Sequence, residues 1–339
     1  MFLAVTPNAL DASRLAFAHA RRFLFQPFRP GQWMRLAFVG VLAGEMGGGS
    51  CSFRVPADLV RPRAQHLQSP DLFGGYPLLI MAAIAAGLVL AIVLGVAFLY
   101  VSSRMRFVLF DSIVASECRV RHYWRQRGEP AFRYFVWQLL FGVGVLLALM
   151  IVVAPPLILA IAAGWFESPG AHLVPLILGG IVAALILILL VITTAVIHVL
   201  TKDFVVPQMA LEGVTVGEGW KRLWAQIVAE KAGYAAYIGM KIVLTVATGI
   251  CVAIIGIVVA LIVLIPVGAL GAVAVLGGQA AGLTWNPVTI AIATALGAIA
   301  LLVLIFLFAV ISVPLIVFFP AYSCHFLAGR YPPMKEALG

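Results

Sequence analysis

Charged side chains are scarce in this sequence: Asp, Glu, Lys and Arg make up 10% of its 339 residues, whereas a soluble domain carries about 25%. Apolar residues reach 63%, and mean hydropathy is +1.11. This shortage of charge excludes a soluble globular protein, a disordered chain and a nucleic-acid-binding domain. The alternation of polar and apolar residues that marks an outer-membrane barrel is missing too. Cysteine is sparse: Cys51, Cys118, Cys251 and Cys324 stand far apart, without Cys-x-x-Cys or a histidine at ligand spacing. They read as isolated thiols, not as a metal or disulfide site. What remains is an all-α integral membrane protein.

Catalytic signatures are also missing. The chain has no phosphate-binding GxxxxGK[ST] loop, no HExxH zinc site, no GxSxG elbow and no dinucleotide-binding glycine pattern. The six histidines are isolated from one another in sequence. No enzymatic activity and no cofactor are therefore expected. The opening MFLAVTPNALDASRLAF lacks a basic segment followed by an apolar core, so no cleaved signal peptide is expected.

What the chain has is long apolar runs. A helix crossing the hydrocarbon core needs about 20 apolar residues. Pro77–Ser103, Tyr134–Trp165, Leu173–Thr201, Ala236–Pro266 and Val288–Phe319 all meet this, with Pro155 and Pro156 expected to bend the second. Trp33–Ser50 is a shorter sixth candidate that holds Arg35 and Glu45 and ends in Gly47-Gly48-Gly49. Lysine and arginine concentrate in the N-terminal arm, in Arg104–Arg133, in Lys202–Gly233 and in the tail, while Phe166–His172 and Val267–Pro287 hold none. The positive-inside rule makes the basic regions cytoplasmic. The expected location is a bacterial inner membrane, with N-terminus and C-terminus both cytoplasmic. Two cytoplasmic termini need an even number of crossings, so about six transmembrane helices are expected, Trp33–Ser50 among them. The loop Cys51–Tyr76 strains this reading, because it would be external yet carries Arg54, Arg61 and Arg63. Asn8–Phe28, capped by Asp11 or Ser13, reads as a helix with aromatics beside arginines, lying in the interface or packed on the bundle.

An internal repeat organises the rest. PLLIMAAIAAGLVLAIVLG at Pro77 resembles PLILGGIVAALILILLVIT at Pro175. Each run leads through an aromatic-aliphatic patch to a glutamate (Glu117, Glu212), a valine (Val120, Val216) and a tryptophan beside a basic residue (Trp124-Arg125, Trp220-Lys221). The expected layout is an amphipathic arm (1–32), a short first span with a Gly-rich external loop (33–76), repeat 1 (77–174), repeat 2 (175–286), and a partial third repeat with the tail (287–339). Two spans per copy make the repeats parallel.

The connectors inside the repeats read as amphipathic helices at the cytoplasmic interface. Arg119, Arg121, Trp124 and Arg125 in the first, and Trp220, Lys221, Arg222 and Trp224 in the second, are candidates for contact with anionic lipid head groups or a protein partner. The alternative is an elbow that only positions two spans. Polar residues within spans are few, and the candidates for a polar site are Glu45, Glu117 and Glu212. Glu45 reads as a shallow, water-reached or hydrogen-bonded carboxylate more readily than as a transport site, and Lys241 as a lysine that snorkels to the interface. Glu117 and Glu212 read as helix caps or partners of nearby arginines, and no facing set of ionisable groups appears near mid-membrane.

RRFLFQPFRPGQWMRLAFVGVLAGEMGGGSCSF and FVVPQMALEGVTVGEGWKRLW together resemble an uncharacterised prokaryotic membrane-protein family. In that family a PF…W-[LM]-[KR]-L opening precedes a glycine run, and D-F-V-V-P-x-M precedes an amphipathic helix; Asp203 through Met209 match the second element. More distantly, the repeats are similar to the membrane domain appended to some glycerophosphodiester phosphodiesterases. The resemblance implies architecture and brings no catalytic residues, for the phosphodiesterase domain and its acidic metal ligands are missing here. The expected function is a non-enzymatic scaffold or accessory subunit that contacts anionic lipid or a larger membrane complex, with no nucleic acid as partner. The alternative is a transporter or channel for a small or amphiphilic solute.

Overall fold

The computed structural model describes residues 8–45, 77–165, 170, 172–280 and 287–339, and no strand occurs among them. In chain order the helices are α1 (Ala9–Phe25), α2 (Pro30–Leu42), α3 (Pro77–Val114), α4 (Val120–Gln126), α5 (Gly128–Ala162) and α6 (Leu173–Leu200). A π-helical turn (Thr201–Val205) leads into α7 (Val206–Glu212), and α8 (Val216–Ala229), α9 (Lys231–Ala280), α10 (Pro287–Ala328) and α11 (Pro332–Leu338) follow.

Among the described residues, five stretches are long and apolar enough to cross a membrane: Met81–Val114, Gly128–Ala162, Leu173–Glu212, Lys231–Val273 and Val288–Ala328. The chain is a multi-pass membrane protein. The sixth candidate is not among them. α2 has 13 residues, about 20 Å of helix at 1.5 Å per residue, and so falls short of a crossing. The rest of Trp33–Ser50, and the segment to residue 76 expected as an external loop, lie outside the described residues.

Each long helix divides in two. Along α3, residues 81–98 are exposed, whereas most of Ser102–Ile113 is buried. α6 is largely exposed until Leu200, after which the π-turn and α7 are buried apart from Lys202 and the last residues. α10 is mostly exposed to Phe306 and contributes Val313, Ile316, Val317, Tyr322 and Phe326 to the core beyond it. The apolar run Pro77–Val101 is about 37 Å of helix, which covers a hydrocarbon core of about 30 Å. The packed core is therefore a layer at the basic ends of the spans, not a bundle core at mid-membrane.

The N-terminal helices belong to this layer. α1 packs along α10 and buries Ala12, Ala16 and Ala20, whose small side chains permit a close approach. Asn8 holds the extended backbone before α1 without a side-chain bond, and Asp11 and Ser13 lie inside the helix, where the Ser13 hydroxyl donates to the Leu10 carbonyl at 2.7 Å. The expected caps are therefore not used. On α2, Gly40 faces Ile316, and a Cβ at Gly40 would lie 2.5 Å from that side chain. Pro155 and Pro156 both remain within α5.

The connectors have matching turns. After α3 the chain turns through Ser116 at φ 51°, and after α7 through Gly213 at φ 69°. α4 and α8 follow these turns. α8 starts with a capping box: the Glu218 amide donates to Thr215 Oγ1 at 3.3 Å, and the Thr215 amide donates to the Glu218 carboxylate at 3.0 Å. These bonds to the exposed carboxylate hold Glu218 below the usual glutamate range.

Candidate functional site

The π-turn after α6 gathers one group of the charged side chains of the packed layer. A π-turn adds a residue to the helical ladder and re-aims its side chains. Here consecutive residues diverge: Lys202 donates to the Glu45 carboxylate just beyond α2, while Asp203 accepts from the Tyr237 hydroxyl at 2.8 Å and from Lys241. From α3, Arg106 donates to the Ala43 carbonyl at 3.2 Å and to the Tyr134 hydroxyl on α5. Glu45, Arg106 and Asp203 are all buried.

This cluster corrects one expectation: Lys241 is paired with Asp203 instead of snorkelling. Glu45 is a hydrogen-bonded carboxylate with Lys202 as its partner, and the cluster lies at the basic ends of the spans. Arg106, Asp203, Tyr134 and Tyr237 were missed as site residues. One signal could have found two of them: Arg106 and Asp203 are 97 residues apart, the same offset that separates Ser116 from Gly213.

Glu45, Arg106, Lys202, Asp203, Ser323 and Cys324 contribute to the lining of a cavity of ≈ 20 Å³. A water needs about 10–15 Å³ measured this way. Glu45 Oε1 and Arg106 Nε are buried there without a protein partner, and one water could accept from the guanidinium and donate to the carboxylate. The volume suits a water and excludes an organic solute. Three cations and two carboxylates thus link α3, α6 and α9 to the end of α2, with Tyr134 adding α5. Breaking such a buried pair is far costlier than removing both partners. Among the described residues no group of three or more His, Cys, Asp or Glu could hold a metal ion.

The other acidic candidates lie elsewhere and do not pair with each other. Glu117 bonds Arg119 at 2.9 Å, and Glu212 accepts from Arg222 and from the Tyr331 hydroxyl. Arg127 forks onto Asp111 at 2.8 and 2.9 Å and also donates to the Ala210 carbonyl. Arg330 forks onto Glu230 at 2.7 and 2.6 Å, an attachment that holds the Glu230 carboxyl below its usual range.

The connector residues split into two sets. Trp124 is turned inward under the Arg104 guanidinium, 4.6 Å from its ring centre, and the Trp220 indole donates to Thr201 Oγ1 at 3.1 Å. Arg121, Arg125, Lys221 and Trp224 are exposed, and the three cations have no acidic partner within 4 Å among the described residues. The tryptophans nearest the spans anchor the connectors, and the remaining basic residues face outward.

A family model described as a family of unknown function, DUF7544, matches residues 7–336. The chain belongs to DUF7544. The match covers the N-terminal hairpin, the five spans and most of α11 in one family unit. No curated protein and no solved structure matches the chain.

Proposed function

We propose that this chain is a non-enzymatic scaffold or accessory subunit, which contacts anionic lipid or a partner through its connectors. The observation that carries the reading is the contrast between its two polar regions. The charges gathered at the π-turn close on one another around room for about one water, while Arg121, Arg125, Lys221 and Trp224 face outward. Exposed cations beside an exposed tryptophan suit a head-group layer. The transporter alternative needs a solute-sized polar cavity near Glu45, Glu117 or Glu212. The cavity at Glu45 is far smaller, and the other two glutamates are engaged by neighbouring side chains.

The same proposal includes a bacterial inner membrane, a cytoplasmic packed layer and two parallel repeats with a partial third. The common 97-residue offset of the two connector turns supports the repeats, and α10, a turn and α11 would be the shortened third copy. α1 and α11 both pack on α10, which supports an even number of crossings, about six. The likeness to the membrane domain of some glycerophosphodiester phosphodiesterases enters as architecture alone. Purification from native membranes in mild detergent tests the function: a bound lipid or second polypeptide is expected, and a bare monomer contradicts it.

A further inference from the structure

The hairpin of α1 and α2 has an outer face that the cluster and the connectors do not use. Its centre is an aromatic knuckle. The Trp33 ring sits edge-on to Phe25 and Phe28, with centroids 5.7 and 5.5 Å away, and its indole donates to the Leu24 carbonyl at 3.1 Å. Phe25, Phe28, Met34 and Phe38 are each more than half exposed. Arg29 and Arg35 are exposed beside them, with no acidic partner within 4 Å among the described residues. Large apolar side chains interleaved with unpaired arginines fit a surface that is greasy below and anionic above.

The depth of this face agrees. The end of α2 is held by Arg106 and Lys202, and Arg106 follows the apolar run that crosses the hydrocarbon core. The hairpin therefore approaches the membrane where the core ends. Met34, Arg35 and Phe38 lie within about 14 Å of Ala43 along the helix axis. We infer that the outer face of α2 and the knuckle dock onto the anionic leaflet of the membrane that the chain already crosses. This deepens the proposed function by giving anionic lipid a second contact, separate from the connectors, that seats the packed layer on the membrane.

The full chain carrying p-benzoylphenylalanine in place of Phe38 or of Trp224 is reconstituted in nanodiscs of phosphatidylglycerol or of phosphatidylcholine and illuminated. Lipid adducts at position 38 are expected in phosphatidylglycerol, on the order of tenfold above those in phosphatidylcholine. R29E/R35E, made in the same labelled chain, is expected to bring adducts down to the phosphatidylcholine level with unfolding temperature unchanged. Excess inorganic phosphate is expected to leave them intact. Equal adducts in both lipids, persistence in R29E/R35E or displacement by phosphate would overturn the leaflet as occupant. Adducts at position 224 without any at position 38 would overturn this inference and leave the connector reading standing, whereas adducts at 38 alone would do the reverse.

Discussion

Lys202 reaches from the π-turn after α6 to the carboxylate of Glu45 and ties the N-terminal hairpin to α6. The pair is separated by 157 positions in sequence, with the Glu45 side chain 6% exposed and that of Lys202 20%. Lys202→Met is expected to destabilise the protein by about 3–5 kcal/mol, because it strands a buried carboxylate. Glu45→Gln combined with Lys202→Met removes both charges and should recover most of that loss. Thermal unfolding of the detergent-solubilised variants checks this; a double variant no better than the single would contradict it.

Close packing of α2 on α10 rests on Gly40. Gly40→Ala places a methyl against Ile316, and overpacking of this kind costs about 1–3 kcal/mol. Ile316→Ala leaves a cavity on its own but makes room for the new methyl. The combination should therefore unfold at a higher temperature than independent addition of the two losses predicts. Strict additivity would argue against the contact.

The two connector turns give opposite results on exchange. Ser116 adopts a left-handed backbone that glycine takes without strain, and Gly213 adopts nearly the same one. Ser116→Gly is expected to stabilise by up to about 1 kcal/mol, and Gly213→Ser to destabilise by about 1–2 kcal/mol. Unfolding temperatures moving in the same direction for both would refute the equivalence of the turns.

His19 predicts acid sensitivity of the packed layer. Burial lowers its pKa below the ordinary histidine value of 6.5, Arg22 lowers it further, and the bond with the Ile113 carbonyl opposes both. The His325 ring faces it at 5.5 Å. Between its folded pKa and 6.5 the unfolded chain binds the proton more readily, so stability is complete above that window and falls as pH drops through it. His19→Gln should lessen the fall in unfolding temperature between pH 7.5 and pH 5.5. An unchanged fall would remove His19 as a cause.

The spans were legible in the sequence because twenty or more apolar residues have few other uses in so large a number. α8 was legible from the helical spacing of Val216, Trp220, Leu223 and Ile227. The division of each long helix was not, since Phe107–Phe110 and Val313–Val317 are as apolar as the lipid-facing runs. Only tertiary packing separates a residue buried in protein from one buried in lipid. The charged cluster was hidden for a related reason: Glu45, Arg106, Asp203 and Lys241 are each unremarkable alone, and four described helices, α3 to α6, stand between Glu45 and Lys202 in sequence. Lys241 reads as a snorkelling residue until Asp203 is placed beside it.

The most direct test of the proposed function is native mass spectrometry of the full chain extracted from its own membranes, compared with R121E/R125E/K221E. The wild-type chain should carry anionic phospholipid or a second polypeptide, and the charge-reversed chain, with its buried cluster intact and its unfolding temperature unchanged, should lose it. A wild-type chain that emerges bare, or a reversed chain that keeps the same cargo, would contradict the assignment of recognition to the connectors.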